Sequence, residues 1–213
     1  MRAVLSNGDT GICMASANET ARNVFKEHGG TLRTREALAA GIHPRTLYAM
    51  RDAGELEQLA RGLYRLAELA PLSEPDLATV AKRIPQGVVC LISALAYHEL
   101  TTQVPHVVHL ALPRTARHPV LAYPPLQIYR FSLAAFEAGI ETHVIDRVSV
   151  RVYGPEKTLA DCFKYRNKIG LDVAIEALRA YRGRRGARLQ AVLEYARICR
   201  VEKVARPYLE ASV

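Results

Sequence analysis

The sequence predicts an α+β protein in two parts: an N-terminal winged helix-turn-helix, then a larger mixed α+β domain ending in several helices. Three observations lead there. Between Asn18 and Leu66, helical segments punctuated by glycines run into two short strand-like stretches. The segment Ala70-Pro71-Leu72-Ser73-Glu74-Pro75 has the composition of a linker. Beyond it, proline-separated apolar runs give way to helical periodicity that continues to the C-terminus. The resulting expectation is a flexible tail over residues 1–16, a head over 17–70 and a second domain over 71–213.

The first sixteen residues show no period, and Met14 is a second candidate start. Asn18 can cap a helix to about His28, with Ala21, Val24 and Phe25 on one side and Gly29-Gly30 closing it. Thr34 is the expected cap of a short helix, Arg35–Ala40, ended by Gly41. Pro44 suits the first position of a third helix, where its missing N–H costs nothing; that helix ends at Gly54. Leu56–Leu59 and Leu63–Leu66 then form a hairpin about Ala60-Arg61-Gly62, with Gly62 supplying positive φ. Leu38, Ile42, Leu47, Met50 and Leu56 are the expected core of this head, leaving Arg45, Thr46, Tyr48 and Ala49 facing outward.

In the second domain, Ser73 and Asp76 suggest a capping box for a helix to about Arg83, followed by a more apolar helix over Val88–Glu99. Strands are expected at His106–Leu112, Leu126–Phe131 and Thr142–Val152, the last folded about Asp146-Arg147. Helices at Pro155–Asn167, Leu171–Arg182, Ala187–Arg197 and Val201–Leu209 complete the chain.

Composition narrows the function classes. The 213 residues are 49% hydrophobic and 23% charged, an ordinary globular balance that excludes wholesale disorder. The longest apolar run, Val88–Ala96 with Ser93 inside it, is far shorter than the roughly 20 residues that span a bilayer. No secretory leader follows Arg2, so a soluble cytoplasmic protein without membrane contact is expected. Cys13, Cys90, Cys162 and Cys199 form no Cys-x-x-Cys pair, which argues against zinc knuckles and redox motifs. His106 and His109, three apart on a strand, face opposite sides, so a metal site built from them with His98 and His118 is not expected. Asp146, Glu156 and Lys157 do not make a nuclease site, since adjacent helical positions diverge by about 100°. No phosphate-binding loop or nucleophile elbow is present, so neither catalysis nor a cofactor is expected.

The net charge of +8 is unevenly placed. Residues 151–213 hold 14 Lys+Arg against 7 Asp+Glu, whereas the two earlier thirds are close to neutral. The excess includes Lys164, Arg166, Lys168, Arg179, Arg182, Arg184, Arg185 and Arg188, a set suited to nucleic acid, phosphate or an acidic partner.

A helix-turn-helix places the start of its third helix in the major groove. Arg45 and Thr46 occupy that first turn, and arginine can pair bidentately with guanine. Arg33, Arg35, Arg51, Arg61 and Arg65 are candidate phosphate contacts, with Arg61 at the wing tip and Tyr48 beside the reading residues. Winged helices also dock proteins, so the head alone leaves that alternative open.

Two motifs add a family. The runs Leu32–Leu38, Gly41–Tyr48 and Gly54–Leu66 resemble the winged-helix head of the AbiEi antitoxins of type IV toxin–antitoxin (abortive infection) systems. Val152-Tyr153-Gly154-Pro155-Glu156-Lys157-Thr158-Leu159-Ala160-Asp161-Cys162-Phe163 is similar to a segment of the same family, with Lys157 where arginine is common. The family often carries paired glycines after that segment, and this chain has Ile169-Gly170. The resemblance implies an autorepressor that binds inverted repeats in double-stranded DNA upstream of its operon. It also implies a C-terminal domain that opposes a nucleotidyltransferase-like toxin without a stable complex. On that reading Pro155, Glu156, Lys157, Thr158, Leu159 and Asp161 are the antitoxin-domain motif. Read from the residues alone, the same segment opens a helix, buries Leu159, Cys162 and Phe163, and pairs Lys157 with Asp161 across one turn. A regulator with a ligand-sensing second domain, and a protein or RNA interaction module, remain the alternatives.

Overall fold

The computed structural model describes residues 9–70 and 72–211, with side chains from residue 17 onward. The chain divides into two compact units, one ending at Ser73 and one beginning at Glu74.

The first unit is a winged helix. It contains α1 (Asp9–Glu27), β1 (Thr31–Arg33), α2 (Thr34–Ala39), α3 (Pro44–Asp52), β2 (Leu56–Ala60) and β3 (Leu63–Leu66). Its sheet has the order β1-β3-β2, antiparallel throughout, with a bulge between Gln58 and Ala60. Strand β1 is too short to announce itself in a sequence, yet it completes the sheet by pairing Thr31 with Arg65 and Arg33 with Leu63. Gly62, at φ +69°, turns the chain between β2 and β3 in a conformation that costs other residues energy.

Several expectations are corrected here. The expected tail covers residues 1–8, which lie outside the described residues, and 9–16, which are helical. No proline interrupts Asp9–Ala17, so nothing stops the helix at Asn18. Asn18 does not cap α1; its amide donates instead to Glu55 Oε1 at 3.0 Å, and Arg22 joins the same carboxylate at 2.7 Å. Thr34 is the first residue of α2 rather than its cap. Arg33 holds the cap position, its backbone N–H donating to Glu36 Oε2 at 2.9 Å. Leu38 faces solvent and Ala37 takes the buried place, while Ile42, Leu47, Met50 and Leu56 are buried with Phe25, Leu32 and Leu66.

The second unit comprises α4 (Pro75–Arg83), β4 (Val88–Val89), α5 (Leu91–Tyr97), β5 (Val108–Pro113), β6 (Leu126–Phe131), α6 (Leu133–Glu137), β7 (Ile140–Ile145), β8 (Val148–Tyr153), α7 (Pro155–Lys164), α8 (Arg166–Ile169), α9 (Leu171–Arg182), α10 (Leu189–Ile198) and α11 (Glu202–Glu210). The five-stranded mixed sheet runs β6-β5-β4-β8-β7. Strands β5 and β6 are parallel, as are β4 and β8, and the other two pairings are antiparallel. The β7–β8 hairpin turns on Asp146 and Arg147, both at positive φ (50° and 64°), as a tight turn of this hand requires. Helix α7 is the centre of the helical layer and packs against α5, α9, α10 and α11.

The expected helix over Val88–Glu99 is two elements. Val88 and Val89 extend the sheet, between β5 and β8, before α5 begins. A continuous apolar run fits a buried strand as well as a buried helix, and here sheet pairing claims its first residues. Helix α4 begins at Pro75 with Glu74 in the cap position, one residue later than a Ser73 capping box requires. Gly170, at φ +95°, separates α8 from α9 without a second glycine. No described helix is long and apolar enough to cross a membrane.

Candidate nucleic-acid interface and the buried motif

In the head, the start of α3 is built by local chemistry. Pro44 takes the first helical position, and His43 Nδ1 accepts the Arg45 N–H at 3.2 Å, satisfying one of the free amides that begin a helix. Leu47 and Met50 anchor the inner face at zero exposure. That anchoring leaves Arg45 and Tyr48 exposed on the outer face, with Thr46 and Ala49 half-buried.

The candidate phosphate contacts separate into two groups. Arg35 on α2 and Arg61 in the β2–β3 turn are exposed. The Thr34 N–H donates to Gly62 O at 3.0 Å, which brings the neighbours of these two arginines together. Arg51 is half-buried, paired with Asp52 at 2.6 Å and placed 5.1 Å from the Tyr48 ring centroid. Arg33 and Arg65 are corrections. Arg33 is only 13% exposed and lies alongside Glu36. Arg65 is buried in β3 and donates to the carbonyls of Leu69 and Ala70, so its charge holds the chain that leaves the head. Strand alternation could not reveal this, because all four residues of β3 are buried. His43, whose role is visible only in the cap geometry, was not among the expected contacts.

In the second unit, the motif Pro155–Asp161 is almost wholly interior. Glu156, Lys157, Thr158, Leu159 and Asp161 are buried, and only Pro155 is partly exposed. Lys157 Nζ lies 2.5 Å from Asp161 Oδ2, with both side chains inaccessible. The same ammonium sits 4.0 Å from the Tyr153 ring centroid, and Cys199 Sγ donates to Asp161 Oδ1 at 3.2 Å. Burial, with Asp161 beside it, pushes the Cys199 thiol up to about 12. Gly139, at φ +71°, lets the backbone pass over Lys157, since a Cβ there would come within 2.6 Å of Lys157 Cβ. Thr158 Oγ1 donates to Tyr153 O at 3.1 Å. These side chains therefore brace α7 against the sheet and offer no surface to a partner.

Glu156 joins this interior to the basic α9–α10 loop. Its Oε1 accepts from Tyr181 OH at 2.8 Å and from Arg188 Nε and Nη2 at 2.9 and 2.7 Å. Burial alone would raise its carboxyl, but the Tyr181 hydroxyl, its own backbone N–H and Arg188 together hold it below the ordinary 4.5. A lowered carboxyl stabilises the fold above its unfolded-state value, and that stability is lost as pH falls through the lowered folded value. Urea midpoints measured below about pH 5 are therefore expected to fall less steeply in Glu156→Gln than in the parent chain. Parallel curves would show that this network contributes nothing to acid sensitivity.

Much of the basic excess is similarly engaged. Arg184 Nη2 donates to the carbonyls of His98 and Glu99 beyond α5, and Arg166 donates to Phe163 O. Arg179 and Arg185 are exposed and Arg182 is half-buried. Among the described residues no group of His, Cys, Asp or Glu could hold a metal ion. Asp146 accepts from the Glu74 N–H at 3.3 Å, in the β7–β8 turn and separate from the α7 side chains it was weighed with.

Residues 19–67 match the family described as transcriptional regulator, AbiEi antitoxin. The fold of the chain is similar to the crystal structure of the RV2827C protein from Mycobacterium tuberculosis, with a TM-score of 0.52. That likeness covers 93% of this chain and 81% of the other, at 15% identity. No curated protein matches the chain.

Proposed function

Starting from a winged helix that matches the AbiEi antitoxin regulators, we propose that this protein is a DNA-binding antitoxin that represses its own operon. The head reads inverted repeats in double-stranded DNA upstream of that operon. The domain from residue 71 onward opposes a nucleotidyltransferase-like toxin of a type IV system, without a stable complex between the two. The protein carries out no catalysis in this role and works in the cytoplasm.

The observation that carries the reading is the first turn of α3. Arg45 is exposed there, on a helix held by a His43 cap and a Leu47–Met50 anchor, with exposed Arg35 and Arg61 on the adjoining helix and wing. Such an arrangement supplies one arginine for a base edge and two for phosphates. Because Arg65 is buried and Arg33 and Arg51 are half-buried, we assign them to the structure of the head rather than to DNA.

The test is fluorescence anisotropy on the native upstream duplex and on a scrambled duplex, from about 50 to 300 mM salt. Tighter binding to the native duplex, with a log–log salt slope of about 2–4, is the expected result for so few phosphate contacts. Equal binding to both duplexes would remove the operator-reading claim. Arg45→Ala is expected to lose about 1–3 kcal/mol of discrimination. Equal losses on the two duplexes would make Arg45 a phosphate contact only.

A further inference from the structure

A cavity of about 460 Å³ opens in the second unit, between the start of α4, the end of α5 and the loop that leads to β5. Its volume falls within the roughly 300–1,000 Å³ of small-molecule sites. Leu77, Val107 and Val108 give it an apolar floor among the lining residues, and Tyr97 lines it as well. Three carboxylates line it, Glu74, Asp76 and Glu99, and no Lys, Arg or His does. In a chain of net charge +8, a cavity whose charged lining residues are all acids departs from the rest of the molecule.

We propose that this cavity binds a small organic cation, an ammonium or guanidinium group carried on a short aliphatic stem. An anion would meet three carboxylates. A bare divalent ion would lack the six to eight oxygen ligands that calcium takes and would meet hydrocarbon on the floor. An organic cation matches both kinds of lining: its charge meets the carboxylates, and its stem covers the apolar residues.

The electrostatics of the site agree with the geometry. Burial raises the Glu74 carboxyl, and Asp146 and Asp76 raise it further. Burial also raises the Tyr97 hydroxyl, with Glu141 and Glu74 adding to the effect. A cation in the cavity would relieve this like-charge crowding. The wall is also fixed in advance. Glu99 sits at φ +54° with its carbonyl accepting from Arg184 at 2.9 Å, and Thr102 Oγ1 donates to Glu176 at 3.3 Å. The inference stands on this cavity alone, whatever the head binds.

The experiment is isothermal titration of the full chain with agmatine, with n-pentanol and glutarate as neutral and anionic controls. Saturable one-to-one binding of agmatine that persists at about 150 mM NaCl is expected, with no binding of either control. Glu74→Gln and Asp76→Asn should each weaken it roughly tenfold, the loss of one charge-assisted contact. Val104→Arg, at a lining position whose side chain is largely exposed, should abolish it by placing a resident guanidinium at the mouth. Circular dichroism of each variant should match the parent. Absence of saturable binding would overturn the proposal. So would binding that disappears at that salt, or that the folded Glu74→Gln and Val104→Arg chains retain unchanged.

Discussion

Replacing Asp161 with alanine is expected to destabilise the second unit by about 3–5 kcal/mol, the cost of leaving a buried ammonium without its counter-charge. Lys157 and Asp161 are both inaccessible and 2.5 Å apart, so no water can take the place of the lost carboxylate without opening the core. Two aromatic rings, Tyr153 at 4.0 Å and Phe131 at 4.9 Å from Nζ, offset only part of the desolvation. The Cys199 thiol would lose its acceptor as well. The double variant Lys157→Met, Asp161→Leu removes both charges and keeps hydrocarbon volume, so it should cost far less than the single change. Urea unfolding of the two variants separates the causes. Equal losses would mean that packing, and not an uncompensated charge, accounts for the effect.

Leu47→Ala should remove about 2–5 kcal/mol from the head, the range for truncating a fully buried leucine. A unit of this size holds only about 0.05–0.15 kcal/mol per residue, so the loss approaches its whole stability. Leu47 is at zero exposure on the inner face of α3, where it fixes the helix that presents Arg45. The expected result is lost protection of the β3 amides in hydrogen exchange, together with lost duplex binding. Tyr48→Ala, one position along and on the outer face, should leave β3 protected. Protection of β3 in Leu47→Ala would show that α3 is not tied to the core as its packing implies.

The head was largely legible because its signals are local. Proline at the start of α3, glycine in the β2–β3 turn and the apolar spacing of Ile42, Leu47 and Met50 each act within a few residues. Its errors are positions where a distant group outcompetes a neighbour. Asn18 could have capped a helix, but the Glu55 carboxylate, 37 residues away, takes its amide. Arg65 has the composition of a phosphate contact, yet β3 is covered on both faces and its guanidinium is claimed by Leu69 and Ala70 carbonyls.

In the second unit the same division runs through the α7 motif. The spacing of Lys157 and Asp161 shows that they can meet across one helical turn. It does not show that Phe131 of β6, Tyr153 of β8 and Cys199 after α10 close around them, and burial turns a weak surface pair into one whose rupture is severe. The cavity left no trace in the sequence, because its lining comes from two stretches, residues 74–77 and 93–108, that only the fold brings together.

What the sequence determined by itself, then, is the order of the longer elements and the outward face of α3, both consequences of short-range periodicity and turn chemistry. Which charges stay free, which are buried and where the acidic cavity opens were decided by the tertiary structure. Those properties depend on contacts between residues tens of positions apart, and local pattern carries no record of such pairings.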